Sequence, residues 1–392
     1  MGVGRVAALC CAGALFAGLG PAAQAASSPF VLGTVLPDSG VLADYGPATQ
    51  AAVRLAVDDA NAAGGVAGSP VILEAGDSGD AARALSATVE RLRAEGATAL
   101  IGPLSSSLML DGLALVDGLA VVSPATTSPL LSGVVSRVVP SDVMQGAALA
   151  KLASQAGVAR VAIVAPRASR AIADAALAGI ALRGMQGEVI DYPSRMRASD
   201  VASRVARVRA DGLILLTDRE TTSIIRELLR RGLPANVLLG TVAASSVDGA
   251  TLPRGALRGA RGIGPDLRVP RAFAERVKAE EPKAKSLDYA ALAYDAAAVA
   301  ILAAEQSARF LGEVTAEGIR GAIPSVTVGG AACDTLASCL RKVRDGVDID
   351  YVGLSGAVDL GDAGEPIVAT YAVRTFGANN EPGTRVRYVS VP

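Results

Sequence analysis

The sequence predicts an α/β protein built as two doubly wound, parallel-sheet lobes. Three observations carry that reading. Short unbroken apolar runs recur along the chain, among them ATALI at 97–101, RVAIVA at 160–165 and GLILL at 212–216. Strands with no polar face are covered on both sides, as parallel strands are. Most runs lead into a segment of helical periodicity, the βαβ pattern. That pattern reaches about Ser141, restarts near Gln145 and continues to Gly262, so the 392 residues hold two such series.

The first series opens with Phe30–Leu36 (FVLGTVL), a run of β formers stopped by Pro37. Thr49–Ala63 places Val53, Ala56, Val57 and Ala60 on one helical face, pairs Arg54 with Asp58 at i,i+4, and ends at Gly64 or Gly65, either suited to a left-handed cap. Val71–Ala75 is a strand, Asp80 caps a helix to about Glu95, Ala97–Ile101 is a strand, Ser106–Asp117 a helix and Leu119–Ser123 a strand. The second series runs Arg160–Ala165 (strand), Ala171–Gly184 (helix), Glu188–Tyr192 (strand), Ala198–Arg209 (helix), Gly212–Leu216 (strand), Glu220–Arg231 (helix) and Asn236–Gly240 (strand). The remainder offers helices at Pro270–Glu281, Ser286–Phe310 and Thr315–Ala322 and a late strand at Ile367–Phe376. That is too little for a third α/β lobe, so the tail returns to complete the first two.

At the N-terminus, Arg5 precedes an apolar run from Val6 to Leu19, Pro21 breaks it, and Ala23-Gln24-Ala25 supplies small residues for a signal peptidase. Residues 1–25 therefore read as a cleaved signal peptide. The run is too short to cross a bilayer, which takes about 20 residues. Cys10 and Cys11 fall inside it rather than at the cleavage point, so no lipid anchor is expected. The mature chain is expected free in the periplasm.

The net charge of −1 gives no reason to expect nucleic acid or an anionic membrane. Aromatic residues make up 3% of the chain and Trp is absent, which weighs against large protein hot spots and sugar-stacking platforms; a monomer is expected. No His is present, which excludes a Ser-His-Asp triad, a Cys-His dyad and His metal ligands. No cofactor, metal or catalytic residue is expected. Cys333 and Cys339, which remain after processing, are expected to pair in an oxidising compartment.

In open α/β sheets, ligands sit beyond the C-terminal ends of the strands. Three polar loops lie there in the first lobe: Pro37-Asp38-Ser39-Gly40 leading to Tyr45-Gly46, Gly102-Pro103-Leu104-Ser105-Ser106-Ser107, and Ser123-Pro124-Ala125-Thr126-Thr127-Ser128-Pro129. Hydroxyls and backbone N–H groups at a helix start suit a carboxylate, although Ser and Thr there are more often plain caps.

The segments GTVLPDSGVLADYGPATQAAVRLAVDDANAAGGVAGSPV (33–71), ALIGPLSSS (99–107), VVSPATTSP (121–129), RVVPSDVMQGAALA (137–150), ARVAIVA (159–165), LAYDAAA (292–298) and DYVGLSGAVDL (350–360) carry a resemblance over nearly the whole mature chain. It is similar to the leucine/isoleucine/valine-binding proteins, type I periplasmic binding proteins of ABC importers for branched-chain amino acids and amides. The resemblance implies two lobes joined by a three-crossing hinge, with crossings near Asp142, Pro265 and Ser355. Lobe 1 would comprise 26–142 and 266–355, and lobe 2 would comprise 143–265 and 356–392. It implies a small polar ligand, an amino acid or related amide or carboxylate, handed to a membrane ABC permease; a ligand sensor of the same fold is the alternative.

The resemblance also assigns residues. Ser106 matches the serine that binds the ligand carboxylate, Ala125 offers backbone contacts, Thr127 meets the amino acid's polar groups and Tyr45 lines the side-chain pocket. Ser105 and Thr126 flank them. In the second lobe the pattern fails: two family tyrosines fall on Arg170 and Thr217, and the glutamate that meets the ammonium falls on Val242. An ammonium taken from water without a carboxylate is disfavoured, so leucine, isoleucine and valine are expected to bind weakly and ligands without an α-ammonium better. The intact mass of the exported protein should place its first residue at Ala26 or within a residue or two. A precursor-length species in the membrane fraction would refute cleavage.

Overall fold

The strands after each apolar run are short, and their order fixes where the site can lie. β1 (Val31–Thr34), β2 (Ile72–Glu74), β3 (Ala99–Ile101), β4 (Ala120–Ser123) and β5 (Ser136–Arg137) form one sheet in the order β2-β1-β3-β4-β5. Every pairing in it is parallel. Its two faces are buried under different helices: α1 (Gly46–Ala62) covers one, and α2 (Ala82–Ala94) with α3 (Ser106–Asp111) covers the other. The computed structural model describes residues 1–2, 29–193, 196–232 and 234–392. The expected signal peptide and its cleavage point lie outside the described residues.

The second sheet has seven strands. α4 (Asp142–Gln155) leads into β6 (Arg160–Pro166), α5 (Arg170–Ala181), β7 (Gln186–Tyr192), α6 (Ala198–Val208), β8 (Gly212–Leu215), α7 (Thr221–Leu229), β9 (Asn236–Leu239), α8 (Thr241–Ser246) and β10 (Arg261–Pro265). β6 to β10 pair in parallel. α4 and α5 bury one face, and α6, α7 and α8 bury the other. Each sheet thus divides two apolar clusters, which explains why its strands read as unbroken apolar runs.

The remainder returns to the first lobe and then leaves it. α9 (Arg271–Glu280), α10 (Ala290–Leu311), α11 (Ala316–Thr327), β11 (Ala331–Cys333), α12 (Leu336–Arg344), β12 (Ile349–Gly353) and β13 (Gly356–Ala357) pack on the α1 side of the first sheet, with β11–β13 in a sheet of their own. Every residue of α10 from Ala290 to Ser307 is buried. Its many alanines let α1 and α11 approach closely. Cys333 and Cys339 are joined as a disulfide that links β11 to α12. The chain then enters the second lobe: β14 (Ala369–Phe376) runs antiparallel to β10, and β15 (Pro382–Val391) antiparallel to β14.

Four expectations change. Arg54 pairs with Glu280 at 3.1 Å rather than with Asp58. Asp80 accepts from the Val41 amide, and α2 starts after Ala81 with no side-chain cap. The helix expected over Ser106–Asp117 stops at Gly112 and resumes as a 3-10 turn at Leu113–Val116. A Cβ at Gly112 would lie 2.5 Å from a Leu85 methyl, so the glycine is what lets this segment pack on α2. Residues 356–365, expected in the second lobe, stay with the first. Val358 and Leu360 are buried in the cluster that holds α1 and α10, and Gly364 accepts a hydrogen bond from the Arg137 amide at 2.8 Å. The third crossing therefore follows Pro366 rather than Ser355.

Arg137, at the end of β5, is fully buried. It donates to the carbonyls of Thr126 at 3.2 Å and Ser128 at 2.8 Å and pairs with Glu365. Arg137→Leu would leave these acceptors and one carboxylate without a partner, and breaking a buried pair from one side costs about 3–5 kcal/mol. The expected result is a clearly lower urea midpoint. A midpoint unchanged from wild type would show that the pair is dispensable.

Candidate functional site

Both sheets turn the C-terminal ends of their parallel strands toward one another, and the space between is the cleft. Its inner recess, about 110 Å³, is lined by Ala125 and Thr127 after β4, by Val139, Pro140 and Asp142 on the first crossing, and by Thr241 after β9. Pro265 on the second crossing, Tyr371 on the third and Tyr289 before α10 complete it. An outer chamber of about 590 Å³ shares Thr241, Pro265 and Tyr289 with the recess and adds Tyr45, Ala244, Ser245 and Asp288 among its walls. The rings of Tyr45 and Tyr289 meet edge-on with centroids 5.5 Å apart, forming one wall from two separate segments of the first lobe.

The loop after β4 is rigidly held. Ser123 donates its hydroxyl to the Pro103 carbonyl at 2.9 Å and accepts from the amides of Ala125 and Thr126. Ser106 Oγ accepts from the Thr127 amide at 3.0 Å and the Ser128 amide at 3.3 Å. The two polar loops singled out in the sequence are therefore tied to each other, with Arg137 beneath them.

Asp142 lies at the floor of the recess. The Thr127 hydroxyl donates to its Oδ2 at 3.0 Å, and Gln145 donates its side-chain amide to Oδ1 at 3.3 Å. Gln145 Oε1 accepts from the Thr241 amide at 2.6 Å. A hydrogen-bonded chain thus runs from Thr127 on one lobe, through Asp142 and Gln145, to Thr241 on the other. Gly240 permits it: a Cβ there would lie 2.4 Å from Gln145 Oε1. Burial pushes the Asp142 carboxyl above the usual carboxylate value, while the Thr127 hydroxyl and the Arg137 charge pull it part of the way back.

The predicted site residues divide. Ala125 and Thr127 share the recess and Tyr45 lines the outer chamber. Ser106 stands one hydrogen bond behind Thr127. Ser105 is a helix cap, its hydroxyl accepting from the Leu108 amide at 3.2 Å. Thr126 is fully buried and faces neither chamber. In the second lobe none of the three candidates lines either chamber. Arg170 is exposed and pairs with Asp174 one turn along α5 at 2.8 Å. Thr217 is buried and bonds to Thr221 at 2.7 Å. Val242 is 51% exposed, while its neighbour Thr241 forms the wall.

Asp142 places a carboxylate at the cleft floor, from the hinge rather than from the second-lobe position that the resemblance assigned to Val242. The sequence marked Asp142 only as a crossing point. Asp142 ends the first crossing and opens α4, so its side chain lies under the cleft and becomes part of the floor. Thr241 and Tyr289 were likewise missed, since nothing in their local pattern distinguishes them from loop residues.

A family model described as periplasmic binding protein matches residues 29–339. The chain belongs to the periplasmic binding protein family. A chemotactic signal transduction system substrate-binding protein, BasB of Halobacterium salinarum, is 28% identical over 380 residues, covering 87% of this chain and 86% of that one. The Leu/Ile/Val-binding protein BraC3 of Rhizobium johnstonii is 32% identical over 114 residues, 28% of this chain and 30% of its own length. LivJ of Streptococcus pneumoniae, a branched-chain amino acid transporter substrate-binding protein solved with isoleucine, superimposes with a TM-score of 0.62 at 18% identity, covering 93% of this chain and 100% of that chain. The type I fold and the leucine/isoleucine/valine-binding resemblance read from the motifs thus stand, and the family is one of binding proteins. Among the described residues no helix is long and apolar enough to cross a membrane.

The raised Asp142 pKa has a testable sign. The folded protein binds this proton more tightly than the unfolded chain does. Stability from this group is therefore present at low pH and declines as pH rises from the unfolded value near 4 through the folded one. The melting temperature of wild type relative to Asp142→Asn should fall across that window. A flat difference would mean that the carboxyl is not perturbed.

Proposed function

We propose that the chain is a periplasmic receptor that captures an amino acid, or a related small amide or carboxylate, and delivers it to a membrane ABC importer. One observation carries the reading: Ala125 and Thr127 of one lobe, Thr241 of the other and Asp142 between them line one recess of a size for a small polar head group. Asp142 is the one acidic side chain lining the recess. It favours a ligand that presents N–H donors there, an ammonium or amide, with the remainder of the molecule against Tyr45 and Tyr289. Isoleucine in the LivJ relative supports the class of ligand rather than its identity. Thr241, not Val242, forms the second-lobe wall, so the position matched to the glutamate of leucine binders does not line the recess, and selectivity rests on the first lobe and the hinge.

Ligand contact with both lobes shifts the population toward a closed form. A second reading, sensing rather than transport, has a specific support in BasB, whose name assigns it to a chemotactic system. Co-purification from solubilised membranes separates the two readings, by recovering either a permease with its ATPase or a signal-transducing receptor.

A thermal-shift panel of amino acids, amides and nitrogen-free carboxylates tests the ligand class, since saturation at about 100 times Kd adds roughly 2.7 kcal/mol of stability. The expected hit carries an N–H donor, shrinks the radius of gyration in scattering, and binds about tenfold or more weakly to Asp142→Asn or Thr127→Ala, as loss of a charged hydrogen bond predicts. A nitrogen-free carboxylate as the best ligand would overturn the role given to Asp142, and an unchanged radius at saturation would overturn capture between the lobes.

A further inference from the structure

The net charge of −1 conceals a strong division between the lobes. The segments of the first, 29–142 and 266–365, carry 16 Lys and Arg against 28 Asp and Glu, a balance of −12. Those of the second, 143–265 and 366–392, carry 20 against 10, a balance of +10. The molecule is therefore a large electric dipole, and the sequence sum is small because two opposite lobes cancel.

A share of the positive charge is distributed along one side of the second lobe, at both ends of the α6–α8 layer and in the turns that flank it. Arg197, Arg207, Arg209, Arg219, Arg254 and Arg258 are all exposed there. None of the six takes part in an ion pair or side-chain hydrogen bond among the described residues. Carboxylates on the same layer are partly engaged: Glu227 holds both Arg230 and Arg231, Glu220 accepts from Tyr192, and Asp248 caps a turn. Folding therefore leaves these six guanidinium groups free for an external partner.

We propose that this face adsorbs to an anionic phospholipid surface. The chemistry of the face selects that partner over a protein. Protein interfaces are anchored by buried apolar or aromatic side chains. Among the described residues, Val242 is the one exposed large apolar side chain on this layer. The arginines are spread over the helical layer rather than gathered at an anchor. A delocalised positive face without an anchor matches a surface of repeating phosphates, which guanidinium groups bind well. The negative first lobe is repelled by the same surface, so the dipole also sets the orientation. Adsorption would keep the receptor beside a membrane partner without a covalent anchor, and it does not depend on which ligand the cleft holds.

The test is co-sedimentation of the whole mature protein with vesicles of one part phosphatidylglycerol to three parts phosphatidylcholine, beside vesicles of phosphatidylcholine alone. Each basic residue near such a surface is worth roughly fivefold in partitioning, from about 1 kcal/mol per charge. The expected result is binding to the anionic vesicles only, weakening at least tenfold between about 50 mM and about 200 mM salt. Changing Arg197, Arg207, Arg219 and Arg258 together to Gln should abolish it. Changing Arg83, Lys278, Lys283 and Arg341 of the first lobe to Gln should not. All eight are exposed, and thermal melting checks that each variant folds; the salt series on wild type gives a second reading free of mutation. Equal binding to both vesicle types, no binding at low salt, or an unaffected second-lobe variant would overturn the proposal. So would retention only by zwitterionic vesicles that contain membrane protein, which would assign the face to a protein partner.

Discussion

Arg137 is a charge with no exposure to water, and the cleft depends on how its guanidinium is satisfied. It takes two carbonyls from the loop after β4 and the carboxylate of Glu365, and its own amide reaches Gly364. A buried cation tolerates little displacement, because any lost partner leaves charge in a low-dielectric interior. That intolerance holds loop 124–128 in one conformation and keeps 356–365 against the first lobe. Ala125 and Thr127 are thereby held in place, and under the proposed function this lowers the ordering that ligand binding would require.

A second buried charge acts on the approach to the third crossing. Asp295 on α10 is completely buried and accepts from the Tyr351 hydroxyl, the Leu354 and Ser355 amides and the Ser355 hydroxyl. Four donors compensate its removal from water, and they fix the turn between β12 and β13 on the central helix. The first crossing is anchored differently. Asp142 sits between Thr127 and Gln145, so a chain of polar contacts links the lobes at the cleft floor. Rigid lobes and a polar hinge are the combination that permits rotation without repacking a core.

Electrostatics in this molecule are organised by lobe rather than by residue pair. Most ion pairs join residues within one lobe and are at least partly exposed, where single pairs contribute little. The larger effect is the opposite sign of the two lobes, which orients the molecule in any external field. Charge at this scale bears on encounter and orientation, not on the fold.

Much of the architecture was legible because it follows from local periodicity. Unbroken apolar runs announced β3, β6 and β8, and the helices between them showed their buried faces. The tail's role was legible only in outline: β15 and α12, like the short β5 and β10 that precede the tail, carry mixed patterns that become strands or helices through contacts with elements far away in sequence. The same division holds at the site. Thr127, Ala125 and Tyr45 sit in loops whose motif resemblance exposed them. Ser105 and Thr126 carry the same motif yet point elsewhere, since a cap bond and a buried backbone turn outweigh any role in the cleft. Asp142, Gln145 and Thr241 have no local signature; they become neighbours only where the first crossing enters α4 beside the start of α8. The sequence by itself determined two α/β lobes, the family and the loops at the strand ends, because those depend on spacing along the chain. The tertiary structure decided which side chains share the recess and how charge divides between the lobes, because both depend on segments brought together from far apart.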